Sequence, residues 1–234
     1  TIPANGVIIK TIVTSGLGVR IAEKYGVGYI DVLTGFKYIG EKIKEFHQNN
    51  SHKFLFGYEE SYGFLIGDYV RDKDAIQACL IAAEMAAYYK LQGISLLERL
   101  NQLFEEFGYY REDLISITLK GIEGQERIKR ILEDMREESP RSIAGKKVTV
   151  ISDYLKETTL YPATGKIKPT GLPKANVLHY TLEDGSWFCV RPSGTEPKLK
   201  IYFSVVGRSL AEGEEKLARL KAEVKAKVEE DIYG

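Results

Sequence analysis

The apolar residues in the first half of the chain follow two alternating spacings. Short continuous apolar runs, typical of buried strands, are separated by segments in which apolar residues recur three or four positions apart, as on one face of a helix. The predicted strands are residues 7–13, 28–33 and 54–56, and the predicted helices are residues 17–25 and 36–46. Strands that alternate with helices through short connections predict a mostly parallel sheet covered by helices.

Two longer helical segments complete the first half. Residues 75–91 are apolar on nearly every side, which predicts a helix that packs between layers rather than on the surface. Residues 95–107 follow as a helix whose start carries Ser95 and Glu98 at the spacing of a capping box.

The second half has a different pattern, in which short strands follow one another. The predicted strands are residues 114–119, 148–151, 177–182, 187–190 and 199–205, with the turn dipeptide Asp184-Gly185 between two of them. Two amphipathic helices flank these strands, at residues 123–138 and 210–228. Residues 155–175, rich in Thr, Pro, Gly and Lys, are predicted to be a long polar connection.

These patterns predict two domains. Residues 1–112 form a three-layer α/β domain with a mostly parallel sheet, and residues 113–234 form a small α+β domain with an antiparallel sheet and flanking helices. The 234 residues, 44% of them hydrophobic, are enough for one large core or for two smaller ones.

Charge and composition narrow the range of partners and compartments. The 33 Lys and Arg residues equal the 33 Asp and Glu residues, so the net charge gives no reason to expect binding to nucleic acid or to an anionic membrane. No stretch approaches the roughly 20 apolar residues that span a bilayer, and the N-terminus lacks the pattern of a secretory signal. Cys79 and Cys189, far apart in apolar stretches, are interpreted as buried thiols, which predicts a reducing, cytoplasmic location. Thr1 in place of an initiator methionine hints at a fragment or a processed form.

The sequence shows no pattern of metal ligands. His47, His52 and His179 are scattered, without ligand spacing or a neighbouring cysteine. Asp72 and Asp74 precede a predicted helix, where capping and charging its N-terminus is the simpler interpretation and metal binding is the alternative.

Residues 191–202, RPSGTEPKLKIY, combine the groups that a phosphate-binding loop needs. The loop offers a guanidinium for bidentate pairing, hydroxyl donors, a glycine that admits close approach of backbone N–H groups, and added positive charge. These groups belong, in that order, to Arg191, to Ser193 and Thr195, to Gly194 and to Lys200. The same residue types are typical of a hairpin turn, so composition alone leaves both interpretations open.

This segment resembles the phosphate-binding loop in the last domain of the α-D-phosphohexomutases, the family of phosphoglucomutase and phosphomannomutase. Residues 57–63, GYEESYG, resemble the sugar-binding loop of that family's third domain, and Thr34-Gly35-Phe36-Lys37 is similar to a loop that helps to orient the sugar ring. The resemblance covers essentially the whole chain. It implies the C-terminal half of a phosphohexomutase, comprising domains 3 and 4 of the four that surround a cleft in that family.

The resemblance also implies which residues bind substrate. The implied sugar-binding residues are Thr34, Gly35, Glu59 and Ser61, and the implied phosphate-binding residues are Arg191, Ser193, Gly194, Thr195, Lys200 and Lys73. A carboxylate and a hydroxyl together can hold two neighbouring sugar hydroxyls, whereas Glu60, between them, is expected to face away or to brace the loop. For Lys73 the alternative is a solvated charge at the start of a helix.

The family's reaction, implied for the full-length parent, interconverts a sugar 1-phosphate and a sugar 6-phosphate. A phosphoserine in a Ser-His-Asn-Pro type loop donates its phosphoryl group, glucose 1,6-bisphosphate is the intermediate, and an Asp-Gly-Asp type loop holds Mg²⁺. Neither loop occurs in these 234 residues. The resemblance therefore implies a hexose phosphate ligand, N-terminal domains 1 and 2 of the same enzyme as partners, and a fragment that carries no catalytic residue or metal and does not turn over alone.

The identity of the sugar is a separate inference. The Glu-Glu-Ser-Tyr-Gly version of the sugar loop resembles the glucose-acting branch, which predicts a phosphoglucomutase. A phosphomannomutase or a phosphoglucosamine mutase is the alternative, because a few contacts decide between epimers. A non-catalytic sugar-phosphate binding module that exists independently is a further hypothesis.

Overall fold

A computed structural model describes the backbone of residues 2–119, 121–194 and 196–233, with side chains described up to residue 230. The chain divides into two compact units, Thr1–Gly108 and Tyr109–Gly234. This division lies a few residues before residue 112, where the sequence pattern places the boundary.

The first unit contains four strands and four helices within residues 2–108. In chain order they are β1 (Gly6–Thr11), α1 (Leu17–Lys24), β2 (Gly28–Val32), α2 (Phe36–Asn49), β3 (Lys53–Glu59), β4 (Gly63–Ile66), α3 (Ala75–Leu91) and α4 (Leu96–Phe107). The strand order is β2-β1-β3-β4, with β1 parallel to both neighbours and β4 antiparallel to β3. The predicted mostly parallel sheet is confirmed, and β4 is a strand that the apolar pattern did not reveal.

Helices cover both faces of this sheet because side chains alternate along its strands. Ile9 of β1 lies in a buried cluster with Ile39 and Ile43, two of the residues spaced along one face of α2. Ile8 lies in a second cluster with Ala22 of α1. Burying a side chain as large as Ile contributes about 1.5–3 kcal/mol. The predicted three-layer arrangement is confirmed.

Helix α3 departs from its prediction. None of its residues is buried, and Ile76 and Leu80 are 85% and 60% exposed. The prediction of a helix packed between layers is therefore wrong for this chain, because α3 packs against β4 and α4, which cover only part of its surface. The predicted buried thiol at Cys79 is also wrong, since Cys79 lies on α3 and is exposed, whereas Cys189 is buried as predicted.

The starts of α3 and α4 have the predicted caps. The side chain of Asp74 accepts a hydrogen bond of 3.0 Å from the backbone N–H of Gln77. At α4, Ser95 accepts from the N–H of Glu98 at 3.1 Å, and the Glu98 carboxylate accepts from the N–H of Ser95 at 2.6 Å. The capping box is therefore confirmed.

The second unit contains eight strands and two helices among its described residues. In chain order they are β5 (Tyr109–Thr118), α5 (Gly121–Glu137), β6 (Ser142–Ile143), β7 (Lys146–Asp153), β8 (Thr158–Tyr161), β9 (Lys166–Pro169), β10 (Leu178–Leu182), β11 (Trp187–Pro192), β12 (Lys198–Gly207) and α6 (Leu210–Tyr233). The main sheet has the order β5-β12-β11-β10-β7-β8-β9, β6 pairs with β7, and every pair is antiparallel. The predicted antiparallel sheet with flanking helices is confirmed.

Both helices of the second unit pack into one core with this sheet. Val190 of β11 and Ile201 of β12 lie opposite each other in the ladder, and both are fully buried in a cluster that includes Ile131 of α5 and Val224 of α6. This pairing sets the orientation of the candidate site, because the residues next to Val190 and Ile201 point to the opposite face.

The predicted polar connection at residues 155–175 contains strands β8 and β9. Leu160 of β8 packs against the core, whereas every residue of β9 is exposed. Gly165, in the turn between them, has φ +68°, which glycine adopts without strain. The sequence did not predict β9 because a strand solvated on both faces needs no apolar alternation.

Candidate functional site

Polar side chains gather at the carboxyl ends of two neighbouring strands of the first unit. β1 ends at Thr11 and β3 ends at Glu59, and the two strands are parallel and hydrogen-bonded to each other. Their carboxyl ends therefore meet at one edge of the sheet, where ligands of α/β proteins bind. Glu59 is only 6% exposed, so its carboxylate needs a partner inside the protein.

Lys73 is that partner. Its Nζ donates a hydrogen bond of 2.8 Å to Oε1 of Glu59, and this bond raises the pKa of Lys73 above its ordinary value. The Lys73 side chain is about half exposed, so further N–H donors of the ammonium remain accessible. The ammonium also lies 5.9 Å from the centre of the Phe36 ring, at the start of α2. Asp72 accepts a hydrogen bond from the backbone N–H of Lys73 rather than capping α3.

Gly63 makes room for the Glu59 side chain. The two residues are paired across the β3–β4 hairpin, and a Cβ at Gly63 would lie 2.6 Å from Cγ of Glu59. Ser61 and Tyr62, in the tip of the hairpin, are both exposed, and Tyr62 has φ +59°. That left-handed conformation is uncommon outside glycine and marks a tightly turned loop.

Glu60 points back to the sheet. Its Oε2 lies 3.0 Å from Oγ1 of Thr11 and 3.1 Å from Oγ1 of Thr14, and the two hydroxyls lie 2.6 Å apart. Both threonines are buried. The prediction that Glu60 braces the loop is confirmed. The sequence analysis missed Thr11 and Thr14, although two polar residues at the end of an apolar strand are a signal for this edge.

Thr34 and Gly35 form the turn that precedes α2. Gly35 has φ +122°, a conformation that side chains rarely permit. Oγ1 of Thr34 is buried and has no hydrogen-bond partner among the described residues. An unpaired buried hydroxyl costs about 1–3 kcal/mol, so a ligand that bonds to it recovers that cost.

In the second unit, Arg191 and Lys200 lie directly opposite each other in the β11–β12 ladder. Because Val190 and Ile201 point into the core, both cations lie on the other face of the sheet. Like charges directly opposite each other in a sheet repel and destabilise it. An anion bound near both side chains would remove this repulsion.

Tyr202 orients the Arg191 guanidinium. Nη2 of Arg191 donates to the Tyr202 hydroxyl at 3.0 Å, and the guanidinium carbon lies 5.5 Å from the centre of the ring. Nε of Arg191 is buried and has no hydrogen-bond partner among the described residues. The guanidinium is therefore held in place with a donor still available. The sequence analysis did not single out Tyr202, although it ends the quoted segment.

Ser193 and Gly194 line a pocket of about 240 Å³ in the connection from β11 to β12. The backbone N–H of Ser193 donates to the carbonyl of Lys198 at 2.7 Å and closes the loop. A Cβ at Gly194 would meet no atom within 4 Å, so the backbone there is open to close approach. Thr195 lies outside the described residues. The segment is thus a turn between two strands, and the same turn carries a pocket.

Two kinds of feature are absent among the described residues. No helix there has the length and the apolar character needed to cross a membrane. No group of three or more His, Cys, Asp and Glu side chains there could hold a metal ion.

Two family models match the chain. "Phosphoglucomutase/phosphomannomutase, alpha/beta/alpha domain III" matches residues 1–107, and "Phosphoglucomutase/phosphomannomutase, C-terminal domain" matches residues 144–227. The first model matches nearly all of the first compact unit, and the second matches residues 144–227 of the second unit.

The curated relatives that the chain resembles are named phosphoglucomutases. A phosphoglucomutase of Staphylococcus haemolyticus is 39% identical over 204 residues, which are 87% of this chain and 37% of that protein. A phosphoglucomutase of Staphylococcus aureus is 37% identical over 212 residues, which are 90% of this chain and 38% of that protein. The chain therefore spans less than two fifths of the length of these relatives.

Solved structures share the fold. The phosphoglucomutase pp63/parafusin from Paramecium matches 96% of this chain and 37% of its own, with a TM-score of 0.65 and 19% identity. A phosphoglucomutase/phosphomannomutase family protein from Burkholderia thailandensis matches 97% of this chain and 38% of its own, with a TM-score of 0.58 and 13% identity.

Proposed function

Because the chain belongs to the phosphoglucomutase/phosphomannomutase family and carries its domain III and C-terminal domain, we propose that it is the substrate-binding part of a phosphoglucomutase. The parent enzyme interconverts glucose 1-phosphate and glucose 6-phosphate. The observation that carries this proposal is the opposed pair Arg191 and Lys200, because two adjacent, partly exposed cations favour an anionic ligand. The name phosphoglucomutase of the Staphylococcus relatives supports glucose as the sugar.

In this proposal the residues of the first unit bind sugar hydroxyls. Glu59 accepts hydrogen bonds from them, and Ser61 and Thr34 both donate and accept. Gly35, which has no side chain, allows the backbone to approach the sugar ring closely. Lys73 fixes the Glu59 carboxylate through their hydrogen bond and offers its remaining N–H donors to the phosphate.

The residues of the second unit bind a phosphate. Arg191 supplies a charge-assisted hydrogen bond from a guanidinium that Tyr202 already holds, and Lys200 adds a second positive charge. Ser193, Gly194 and Thr195 complete the loop with hydroxyl and backbone donors. Positioning and electrostatic stabilisation are the main contributions of a protein to phosphoryl transfer.

This chain supplies no nucleophile to the reaction. In the full-length parent a phosphoserine donates the phosphoryl group, with Mg²⁺ and glucose 1,6-bisphosphate as cofactors, in the cytoplasm. The described residues of this chain do not fit a metal site, and no step of the proposal passes through a metal held by them. We therefore expect no mutase activity from the chain alone. Conversion of glucose 1-phosphate by the purified chain, followed in a coupled assay, would contradict this expectation.

Calorimetric titration with glucose 1-phosphate tests the proposed binding site. We expect weak binding by the unaltered chain and at least a tenfold loss of affinity in Arg191→Ala, because the other cation then lacks its partner in holding the phosphate. Arg141→Ala is the matched control, since Arg141 is an exposed arginine of the same unit outside the β11–β12 ladder. Equal affinity in Arg191→Ala and the unaltered chain would remove Arg191 from the site.

The same titration separates the sugars. Mannose 1-phosphate and glucosamine 1-phosphate carry the same phosphate, so a difference in affinity reports the residues that contact the sugar. Tighter binding of either competitor than of glucose 1-phosphate would favour a phosphomannomutase or a phosphoglucosamine mutase over the proposed enzyme.

A further inference from the structure

Strand β5 forms one end of the main sheet of the second unit. It pairs with β12 over all ten of its residues, and no described strand lies on its other side. An unpaired sheet edge offers backbone N–H and C=O groups to any other strand, so soluble proteins protect such edges with charge, Pro or short length. The strand at the other end of the sheet, β9, has all three, since it spans four residues that include Lys166, Lys168 and Pro169.

The sequence of β5 protects only part of its edge. Arg111, Glu112 and Asp113 are charged, whereas the next five residues, LISIT at positions 114–118, contain no charge and no Pro. Uncharged segments rich in apolar and β-branched residues pair readily with copies of themselves. Leu114 is 43% exposed. Residues 114–118, called the uncharged edge below, can therefore pair with the same segment of a second copy.

The backbone groups that point away from the sheet belong to the even-numbered residues of β5. In an antiparallel ladder, successive residues direct their N–H and C=O groups alternately toward the paired strand and away from it. The N–H of Leu119, directly after β5, donates to the carbonyl of Pro197 at 3.0 Å, so the odd-numbered residues bond to β12. Tyr110, Leu114 and Ser116 are thus among the residues whose backbone groups point outward.

Two charged side chains already occupy some of these outward groups. Oδ1 of Asp113 accepts from the Leu114 N–H at 2.7 Å, and Nη1 of Arg111 donates to the Tyr110 carbonyl at 2.7 Å. Nζ of Lys221, on α6, donates to Oδ2 of Asp113. Partial burial opposes ionisation of Asp113, but the bonds from Lys221 and from the Leu114 N–H outweigh it and lower the pKa of Asp113. A charged carboxylate is therefore held against the edge of the strand.

We propose that Asp113, held by Lys221, blocks the uncharged edge of β5 and so prevents two copies of the chain from pairing there. A strand of a second copy reaches the Leu114 N–H only after displacing the Asp113 carboxylate. A second copy is the expected occupant because identical segments can pair antiparallel about a two-fold axis, each edge satisfying the other. The inference goes beyond the proposed function and does not depend on any ligand.

Sedimentation velocity over a series of chain concentrations measures self-association. For Asp113→Ala we expect a reversible dimer with a dissociation constant at least tenfold below that of any self-association of the unaltered chain, because the Leu114 N–H then lacks its acceptor. Lys221→Met should change the dissociation constant in the same direction by a smaller factor, since it only releases Asp113. Asp134→Ala, which removes an aspartate of α5 outside the β5 edge, is the matched control and should sediment like the unaltered chain.

A second substitution tests whether the dimer forms through β5. Ser116→Pro removes an N–H that points outward and no hydrogen bond to β12, so the sheet keeps its ladder. Combined with Asp113→Ala, it should return the chain to the sedimentation of the unaltered protein. Circular dichroism and the fluorescence of Trp187, the single tryptophan, show whether each variant is folded.

Three results would overturn the proposal. One is unchanged sedimentation of both Asp113→Ala and Lys221→Met, the latter deciding when Asp113→Ala does not fold because it changes no residue of β5. Another is a dimer that survives Ser116→Pro, which would assign the association to a different surface. The third is equal association of Asp134→Ala, which would attribute the effect to net charge. Because no sugar phosphate is present, failure here leaves the Arg191 titration unaffected.

Discussion

The two candidate binding regions handle charge in opposite ways. In the first unit, Glu59 is neutralised by Lys73, and Glu60 is held by two threonine hydroxyls. In the second unit, Arg191 and Lys200 face each other, and neither forms an ion pair among the residues that the structure describes. The first region is thus organised before a ligand arrives, whereas the second keeps positive charge available for an anion. Substitutions should therefore affect the two regions differently.

The two units can be followed separately in one sample. The chain has a single tryptophan, Trp187, which lies in β11 of the second unit. Its fluorescence reports unfolding of that unit, and circular dichroism reports both. The predictions below use this difference, because a two-unit chain need not unfold in one step.

The largest effect is expected from the substitution of one glycine in each of the two candidate binding regions. Gly63→Ala forces the buried Glu59 side chain to move and breaks its bond with Lys73, which should destabilise the first unit by about 3 kcal/mol. Gly194→Ala meets open space and should change the stability of the second unit by less than about 0.5 kcal/mol. Denaturant unfolding followed by both signals measures the two values. Similar effects of the two substitutions would mean that the first region is no more tightly organised than the second.

A somewhat smaller effect is expected from the threonine brace. Thr11→Val keeps the shape of the side chain but removes a hydrogen bond to the Glu60 carboxylate, which should destabilise the first unit by about 2 kcal/mol. Thr118→Val, at an exposed position of the second unit, is the control and should change stability by less than about 0.5 kcal/mol. If Thr11→Val leaves the stability of the first unit unchanged, Glu60 does not depend on this hydrogen bond.

The second region should be stabilised by an anion. Inorganic phosphate at ten times its dissociation constant should stabilise the second unit by about 1.4 kcal/mol, seen in the Trp187 fluorescence transition. Arg191→Ala should abolish this stabilisation, and Lys147→Met, an exposed lysine of the same unit, should retain it. Phosphate stabilisation confined to the first unit would reverse the comparison by assigning the anion to Lys73.

The smallest expected effect is a change in the stability of the first unit at alkaline pH. Because the pKa of Lys73 is raised in the folded chain, its contribution to stability is fully present below pH 10.5 and is lost as the pH rises through the folded pKa. The difference in stability between the unaltered chain and Lys73→Met should therefore shrink at alkaline pH. Glu59→Gln, which removes the carboxylate partner, should weaken the same dependence. A difference that grows with pH would contradict the hydrogen bond between the two residues.

Periodicity predicted the fold well where one face of an element is buried. Ile39 and Ile43 of α2 and Val190 and Ile201 of the second sheet follow spacings that burial imposes, so their elements were predicted correctly. Strands β4, β6, β8 and β9 were not predicted. β4, β6 and β8 span only two to four residues, and β9 is solvated throughout, so none has a strong periodic signal.

The sequence by itself determined the two fold classes, the caps at Asp74 and Ser95, and the residue types of both candidate binding loops, because each depends on neighbours only a few positions away. The tertiary structure alone decided that Lys73 pairs with Glu59, that Thr11 and Thr14 hold Glu60, and that Arg191 opposes Lys200. These contacts join residues from different elements, and their geometry depends on how strands pair and helices pack. The sequence also could not decide whether α3 is buried, since apolar residues show that a helix needs a packing partner but not which surface supplies it.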